Sequence, residues 1–437
     1  MTHSFFLSAR RRNILWKAFG FCLVLYMLCN GIGVVMRFLQ PHPSFALPPG
    51  VSIDDAIRGD FKRNAGPILY FPPTCHPHHN VAFIKCMKCA TETVGNILRR
   101  YALSNDLSVV LPVDKKIYLG WPFSIVESDF RPSSRGYNML IEHAVYNGSY
   151  MREVMNANTQ FITIIREPLD MFFSTLHYFN VFNIIEIEGP RKGPVAVRNY
   201  LHNIQHYESL YKSHEYSKLR YCIPDGFSVT KNLLGHCLGM PLGFPDKDKN
   251  ITRDRNAVKK YIETLDSDFM LVMLMEYLDE SLVLLKRMMC WQIKDIIYHS
   301  TNKGNYSHKR TDSFGPYDKK LHQSWSSIDY QIYDHFNRTF WKKVAQQSSD
   351  FHFEVTFFKK IQEHVAWFCS SVTPYGRSYI RFPESRWSPA FTFTSDDCEL
   401  MGDNLLVKLK EVYNKTQIRE NVKSKRRTDH THHPPVC

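Results

Sequence analysis

Residues 81–93 constrain the fold more than any other stretch of this chain. They read Val-Ala-Phe-Ile-Lys-Cys-Met-Lys-Cys-Ala-Thr-Glu-Thr, an apolar run followed by a cationic, hydroxyl-bearing turn. Apolar residues then recur at helical spacing, at Val94, Ile97, Leu98 and Tyr101. The pattern predicts a strand, a turn and a helix, and the free N–H groups and positive dipole end at such a helix start favour an anion.

The turn differs from the phosphate loop of ordinary nucleoside triphosphatases. The pattern Gly-x-x-x-x-Gly-Lys-Ser/Thr is absent from this segment. We therefore expect a phosphate-bearing ligand of another kind. The candidate ligand-binding residues in and after the turn are Lys85, Lys88, Ala90, Thr91 and Thr93.

A second strand and helix are predicted further along the chain. Residues 161–165 are apolar and β-branched, which is typical of a buried parallel strand, and they are followed by Arg166. A helix is expected from Pro168 onward, and Ser174 lies about 9 Å along it at about 1.5 Å per residue. Arg166 and Ser174 can then share one anion. Two such corners predict a nucleotide with separated phosphates.

These residues resemble those of sulfotransferases. Ile84–Thr93 is similar to their 5′-phosphosulfate loop, and Ile164–Pro168 with Ser174 is similar to their 3′-phosphate motif. Within that superfamily the chain resembles the Golgi galactose 3-O-sulfotransferases, which include galactosylceramide sulfotransferases. Further similar segments lie at 138–147, 275–291 and 333–341.

The resemblance implies an α/β sulfotransferase fold, a parallel sheet flanked by helices with P-loop-like phosphate-binding turns. It also implies 3′-phosphoadenosine 5′-phosphosulfate (PAPS) as donor, with no metal required. The acceptor would be the 3-hydroxyl of a terminal galactose on a glycolipid or a glycoprotein glycan, and the sequence does not choose between these two. The sequence also gives no indication of the oligomeric state.

Two residues are candidates for the chemistry of sulfuryl transfer. Lys85 suits the cation that neutralises the leaving phosphate, by the logic that places lysine on transferring phosphoryl groups. His143 suits the general base, oriented by Glu142 or by a backbone carbonyl. For Arg166 the structural alternative is an ion pair with Glu167 or Asp170.

The first loop departs from the family pattern. Cys86 and Met87 stand where members commonly carry threonine and histidine, and Thr91 and Glu92 replace serine or glycine types. The Glu92 carboxylate would repel bound phosphates unless it points away or pairs with Lys88. A carbohydrate-binding homologue that has lost turnover is therefore one alternative.

The chain divides into segments of different character. Strand-like runs at 81–84, 161–165 and 269–275 alternate with helical patterns at 92–103, 169–180 and 279–289, as in a parallel sheet covered by helices. Polar stretches at 241–256 and 300–320 are expected to be loops. The expected segments are a cytosolic N-terminus (1–17), a transmembrane signal-anchor (18–36), a lumenal stem (37–67), the catalytic domain (68–345), a partly ordered C-terminal extension (346–415) and a disordered basic tail (416–437).

Residues 18–36 carry no charge and are flanked by Lys17 and Arg37. About 19 apolar residues just span a hydrocarbon core, so we expect a membrane helix. A cleaved signal peptide is the alternative, but no convincing cleavage site follows. The basic residues before the segment predict a type II protein of the Golgi membrane with a lumenal catalytic domain.

Charge and cysteine content narrow the function further. The net charge is +13 but is partly concentrated at the two ends, and no nucleic-acid-binding motif accompanies it, so no nucleic acid partner is expected. The 11 cysteines suit an oxidising compartment, with Cys222–Cys237 and Cys369–Cys398 as candidate local pairs. Sequons for N-glycosylation start at Asn147, Asn250, Asn305, Asn337 and Asn414.

Two motifs suggest other chemistry. Asp246-Lys-Asp248 has the spacing by which a Golgi glycosyltransferase binds a metal and a sugar nucleotide. Cys86-x-x-Cys89 is compatible with a redox or zinc site, with His76, His78 and His79 nearby. Its position inside a phosphate loop favours ordinary substitutions instead.

Overall fold

The structure is a computed structural model that describes residues 75–220, 223–299, 314–371, 378–402 and 404–419. All of these residues belong to one compact unit. The expected membrane segment at 18–36, with the N-terminus and stem around it, lies outside the described ranges. Within those ranges, no helix combines the length and the apolar character needed to cross a bilayer.

A five-stranded sheet forms the centre of the unit, with strand order β2-β3-β1-β4-β5. All four strand pairings are parallel. The predicted parallel α/β fold is therefore confirmed. The strands are β1 (Val81–Ile84), β2 (Val109–Val110), β3 (Met139–Leu140), β4 (Gln160–Ile165) and β5 (Phe269–Leu274).

Helices connect and cover these strands. Before β5 the chain forms α1 (Thr91–Ser104), α2 (Gly148–Val154), α3 (Pro168–Tyr178), α4 (Val181–Ile184), α5 (Gly193–His202), α6 (Ile204–Lys212), α7 (Leu233–Cys237) and α8 (Arg255–Asp268). After β5 it forms α9 (Leu278–Met289), α10 (Ile293–Ile296), α11 (Pro316–Trp325), α12 (Ser327–Ala345), α13 (Phe351–Ser371), α14 (Ser395–Glu399) and α15 (Leu405–Arg419), with an antiparallel hairpin of β6 (Tyr379–Phe382) and β7 (Phe391–Thr394).

The central strand β1 lies between β3 and β4. The connection after β1 leads to β2 at one edge of the sheet, whereas the connection after β4 leads to β5 at the opposite edge. In open parallel sheets, a crevice for ligands forms at the carboxyl ends of strands where the connections diverge in this way. The turns that follow β1 and β4 are thus neighbours at the switch point of the sheet.

The two helices that follow these turns form where the apolar spacing predicts them. Helix α1 buries Val94, Ile97, Leu98 and Tyr101. Helix α3 has Pro168 in its first turn, where the missing N–H costs nothing, and it buries Phe172 among other apolar residues. Most residues of both helices are buried, which holds each helix firmly in the unit.

The segment expected to be a partly ordered extension, 346–415, contains long helices in the structure. Helix α13 packs against α9, where the buried Glu354 carboxylate accepts hydrogen bonds from Lys286 at 2.7 Å and Arg287 at 2.6 Å. Helix α15 packs against α1. The predicted loop at 300–320 is helical from Pro316 onward, and 300–313 lies outside the described residues.

The described cysteines form the disulfides Cys75–Cys290, Cys86–Cys237 and Cys369–Cys398. The predicted Cys369–Cys398 pair is confirmed. The predicted pairing of Cys237 with Cys222 is wrong, because Cys237 is bonded to Cys86 across a sequence separation of 151 residues. Spacing along the chain gave no sign of this bond, since only the fold brings α7 beside the turn after β1.

Candidate functional site

Polar side chains follow four strands at the carboxyl edge of the sheet. Lys85 comes directly after β1 and Arg166 directly after β4. His143 lies shortly after β3, and Glu276 lies in a short turn after β5. Because parallel strands end at the same edge, the fold brings residues from distant parts of the sequence to one site.

We call residues 85–93 the first corner. Its backbone is left-handed at Lys88 (φ 62°) and at Ala90 (φ 56°), which turns the chain sharply into α1. Ala90 is the N-cap of α1, and no side chain of the described residues caps this helix start. The first N–H groups of α1 are thus open to a ligand, and the helix dipole favours an anion there.

Lys85 belongs to a cluster of four charged side chains behind the first corner. Its ammonium lies 2.5 Å from a Glu92 carboxylate oxygen and 3.5 Å from a Glu142 carboxylate oxygen. Arg99 donates two hydrogen bonds of 2.7 Å to Glu142 and one of 2.6 Å to Glu92. Glu92 therefore pairs with Lys85 and Arg99, which is neither of the two arrangements considered from the sequence, pointing away or pairing with Lys88.

Both carboxylates of this cluster are stabilised in the ionised form. Burial alone would raise the pKa of Glu92, but Lys85 and Arg99 outweigh it and lower the pKa to about 2. Burial of Glu142 is likewise outweighed by Arg99 and Lys85, which lower its pKa. Two cations and two anions are held together, and their formal charges cancel.

His143 is joined directly to the first corner. Its Nδ1 lies 2.7 Å from the backbone carbonyl of Lys85. A carbonyl only accepts hydrogen bonds, so Nδ1 carries the proton and Nε2 is the basic nitrogen. Burial and the Lys85 charge lower the pKa of His143 to about 3, so the imidazole is neutral at physiological pH. Of the two orienting groups that the sequence suggested, the backbone carbonyl holds His143, while Glu142 binds Arg99.

We call residues 166–174 the second corner. The Arg166 guanidinium donates to the backbone carbonyl of Lys88 at 3.4 Å, which joins the two corners. Glu167 accepts a hydrogen bond from the Asp170 backbone N–H at 2.8 Å and so caps the helix that follows Arg166. Burial and the nearby Arg166 charge lower the pKa of Lys88.

Helix α3 brings a further residue toward the first corner. The Lys88 ammonium lies 3.9 Å from the centre of the Tyr178 ring, a cation–π contact between the first corner and α3. Ser174 lies four residues before Tyr178 in α3 and is partly exposed. Residues four apart share one helix face, so Ser174 is on the side of α3 that meets Lys88.

The remaining predicted ligands lie at the start of α1. Thr93 is partly exposed, whereas Thr91 is buried, so Thr91 is better suited to donate its backbone N–H than its hydroxyl. Sequence reasoning missed Arg99, although its position seven residues after Glu92 places both on one helix face. Nothing in the sequence indicated that Cys237 is bonded to the first corner.

Glu276 supports the second corner from β5. Its carboxylate accepts a hydrogen bond from the Glu167 backbone N–H at 2.7 Å and one from the Tyr333 hydroxyl at 3.1 Å. The structure gives it the role of fixing the backbone that follows Arg166.

The two competing motifs lie in ordinary structural surroundings. Asp246 accepts a hydrogen bond from the Asp248 backbone N–H at 3.1 Å and pairs with Lys249 at 3.2 Å in an exposed turn. Cys86 is in a disulfide, and Cys89 is a buried free thiol. In the part of the chain that is described, no three histidine, cysteine or acidic side chains are grouped so as to hold a metal.

The parallel sheet flanked by helices places this chain among the α/β proteins, and its two adjoining cationic corners lie at the carboxyl edge of that sheet. A match to a family profile identifies the family within this class. The profile described as galactose-3-O-sulfotransferase matches residues 23–411, and the chain belongs to this family.

Individual relatives agree with this assignment. Human galactosylceramide sulfotransferase is 30% identical over 273 residues, which cover 62% of this chain and 59% of the relative. Mouse galactose-3-O-sulfotransferase 3 is 30% identical over 287 residues, covering 65% and 62%. Human galactose-3-O-sulfotransferase 2 is 26% identical over 275 residues, covering 62% of each. The chain thus matches less than two thirds of the length of these relatives.

Proposed function

We propose that this protein is a sulfotransferase that transfers a sulfuryl group from PAPS to the 3-hydroxyl of a terminal galactose on a glycolipid or glycoprotein glycan. The observation that carries the proposal is a pair of hydrogen bonds that join the two corners and His143. The backbone carbonyl of Lys88 accepts a hydrogen bond from the Arg166 guanidinium, and the backbone carbonyl of Lys85 accepts one from His143 Nδ1. Both phosphate corners and a neutral base are therefore parts of one site.

In this proposal the donor lies across the two corners, with its 5′ end at the first and its 3′-phosphate at the second. Its 5′-phosphosulfate would bind the uncapped start of α1, with Lys85, Lys88 and Thr93 as side-chain donors. Its 3′-phosphate would bind Arg166 and Ser174 at the second corner. The lowered pKa of Lys88, due to burial and to Arg166, supports this placement, because an anion between the two cations would relieve their repulsion.

The chemistry follows from the two groups beside the first corner. His143 Nε2 accepts the proton of the acceptor hydroxyl, whose oxygen forms a bond to sulfur. The bond between sulfur and the phosphate oxygen breaks, and the electron pair stays on the phosphate. Lys85 neutralises the charge that develops on that oxygen. The Lys85 carbonyl keeps the proton of His143 on Nδ1, so Nε2 stays available as base.

The names of the relatives support the acceptor, because they specify galactosylceramide and the galactose 3-hydroxyl. We further propose that the protein resides in the Golgi membrane as a type II protein with a lumenal catalytic domain. The uncharged segment 18–36 supports the anchor. The disulfides support an oxidising compartment.

Transfer of label tests the proposed activity. The full chain, purified in detergent, is incubated with radiolabelled PAPS and with galactosylceramide, lactose and a galactose-terminated N-glycan, and a mannoside serves as the negative acceptor. We expect label on galactose, and linkage analysis of the product should place it on the 3-hydroxyl. Donor binding without transfer to any galactoside would instead identify a catalytically inactive carbohydrate-binding homologue. Transfer from a sugar nucleotide would identify a glycosyltransferase that uses Asp246 and Asp248.

A histidine variant tests the base. His143→Ala should lower turnover by about 10²- to 10⁴-fold while donor affinity stays within about twofold of wild type. His352→Ala is the matched control, because His352 is an exposed histidine on α13. Turnover by His143→Ala at the wild-type rate would remove the base from the proposed mechanism.

A further inference from the structure

Glu92 lies where the first corner is suited to hold an external anion. It is the second residue of α1, so its carboxylate is near the positive end of the helix dipole. One of its oxygens is 2.5 Å from the Lys85 ammonium, the cation assigned to the leaving phosphate. A carboxylate of the protein itself thus makes the contact that the proposed function requires of the donor.

Glu92 is also the most exposed member of its charged cluster. Its side chain is 49% exposed, whereas those of Lys85, Arg99 and Glu142 are 2–3% exposed. Arg99 and Glu142 hold each other by two hydrogen bonds of 2.7 Å that do not involve Glu92. Glu92 can therefore turn toward solvent while the buried Arg99–Glu142 pair stays in place.

We propose that Glu92 is a resident counter-ion that competes with the 5′-phosphate of the donor for Lys85, and that it thereby sets donor affinity. When donor binds, the Lys85 ammonium exchanges a Glu92 oxygen for a phosphate oxygen, and Glu92 retains Arg99 as its partner. The inference rests on the proposed function, because it takes the donor from there. It gives a specific role to one of the four residues at which this chain departs from the family loop.

The charges of the cluster support competition. Lys85 and Arg99 together balance Glu92 and Glu142, so the cluster as it stands offers the donor no net positive charge. Neutralising Glu92 leaves one positive charge unbalanced beside the donor site. It also frees Lys85 from its shortest contact. Both effects strengthen the binding of a phosphate.

Calorimetric titration with adenosine 3′,5′-bisphosphate, which carries the 5′-phosphate and cannot react, tests the inference on the full chain. Glu92→Gln should lower its Kd by about fivefold, the scale of one half-exposed ion pair. Glu363→Gln is the matched control and should leave Kd unchanged. Glu363 is 52% exposed and pairs with Lys360 at 2.9 Å on α13.

Glu92→Asp separates direct contact from a general charge effect. The shorter side chain keeps the negative charge but withdraws it from Lys85, so competition predicts a lower Kd, about twofold or more below wild type. A Kd for Glu92→Asp equal to that of wild type would overturn the direct contact, as would an unchanged Kd for Glu92→Gln. Thermal unfolding of each variant verifies that it is folded.

The two proposals fail in different ways. If wild type binds adenosine 3′,5′-bisphosphate and both Glu92 variants bind it equally well, the inference is wrong and the proposed function stands. If folded wild type binds no adenosine 3′,5′-bisphosphate, the proposed donor is wrong and the inference falls with it.

Discussion

The two corners of the site begin their helices in different ways. At the first corner, Ala90 offers α1 no side-chain cap, and the backbone is left-handed at Lys88. At the second corner, Glu167 caps α3 through the Asp170 N–H, and the Glu167 N–H is in turn bound by Glu276. The first helix start is left open to a ligand, and the second is closed by the protein's own carboxylates.

For the donor that we propose, this difference predicts a different kind of contact at each end of the nucleotide. An open helix start beside Lys85 offers backbone donors and a point charge, which suit the phosphate where charge develops during transfer. A closed helix start leaves recognition to side chains such as Arg166, whose planar guanidinium suits a phosphate that does not react. In the proposed mechanism, chemistry belongs to the first corner and anchoring to the second.

The largest expected effect comes from two variants that test the division between chemistry and anchoring. Lys85→Ala should lower kcat by about 10³-fold, because it removes the cation from the leaving phosphate. Arg166→Ala should act mainly on the KM for PAPS, raising it by about 10- to 100-fold, the range for a lost charged hydrogen bond. Steady-state kinetics with PAPS varied at saturating acceptor measures both, and Lys359→Ala on α13 is the control. Equal effects of the two variants on kcat would contradict the division of tasks.

Stability should depend on carboxylates at the two corners to different degrees. Glu142→Gln leaves the buried Lys85 and Arg99 undercompensated and should cost about 3 kcal/mol of unfolding free energy. In Glu276→Gln the new side-chain amide oxygen can still accept a hydrogen bond from the Glu167 N–H or the Tyr333 hydroxyl, so the substitution should cost less than about 1 kcal/mol. Thermal and urea unfolding of the full chain compare the two variants. Similar losses would show that both corners rely on buried charge.

The corners should also respond to pH in opposite directions. The folded pKa of His143 is about 3, below its ordinary value of 6.5, so the unfolded chain binds the extra proton between these values. Lowering the pH from 7 to 5 should therefore destabilise the fold by up to about 2 kcal/mol through His143. Burial raises the pKa of Glu167 and of Glu276, so their contribution is greatest at low pH and is lost as pH rises through the folded pKa.

Urea unfolding at pH 5 and pH 7 measures this dependence. The difference in unfolding free energy between the two pH values should shrink in His143→Gln, which cannot take up the proton. An identical difference in wild type and variant would mean that His143 titrates alike in the folded and unfolded chain. The Glu276→Gln variant serves as the second-corner comparison.

The smallest expected effect concerns the disulfide beside Lys85. Replacing Cys86 and Cys237 by serine releases the first corner from α7 and should raise the Kd for adenosine 3′,5′-bisphosphate by about tenfold, or about 1.4 kcal/mol. The same double replacement at Cys369 and Cys398, which join α13 to α14, should leave that Kd unchanged. A matching loss in both double variants would indicate general destabilisation instead of a local effect at the corner.

The sequence predicted the parts of the fold that depend on local patterns. Continuous apolar runs predicted β1, β4 and β5, and helical spacing predicted α1 and α3. The two-residue strands β2 and β3 were not predicted, since such short segments carry no periodicity. Both have buried side chains and are held in place by their neighbours in the sheet.

The residues of the candidate site were predictable from the sequence, but the contacts between them were not. Lys85, Lys88, Arg166 and His143 were each recognised from a motif. Their mutual contacts run through backbone carbonyls, which every residue possesses and which no sequence pattern distinguishes. In the sequence, Arg99 has the pattern of an ordinary surface arginine on a helix. Only the structure shows that it is buried against Glu142, which gives it a role in the site.

The position of helix α15 has a consequence for the synthesis of the protein. It buries Leu405 and Leu409, packs on α1, and fastens the loop at Asp114 through a Lys410 hydrogen bond of 2.9 Å. The helix that starts at the first corner is therefore supported by residues 405–419, which are synthesised after every residue of the site. A chain whose synthesis stops before residue 405 has every side chain of the site but lacks the backing of the helix that opens it.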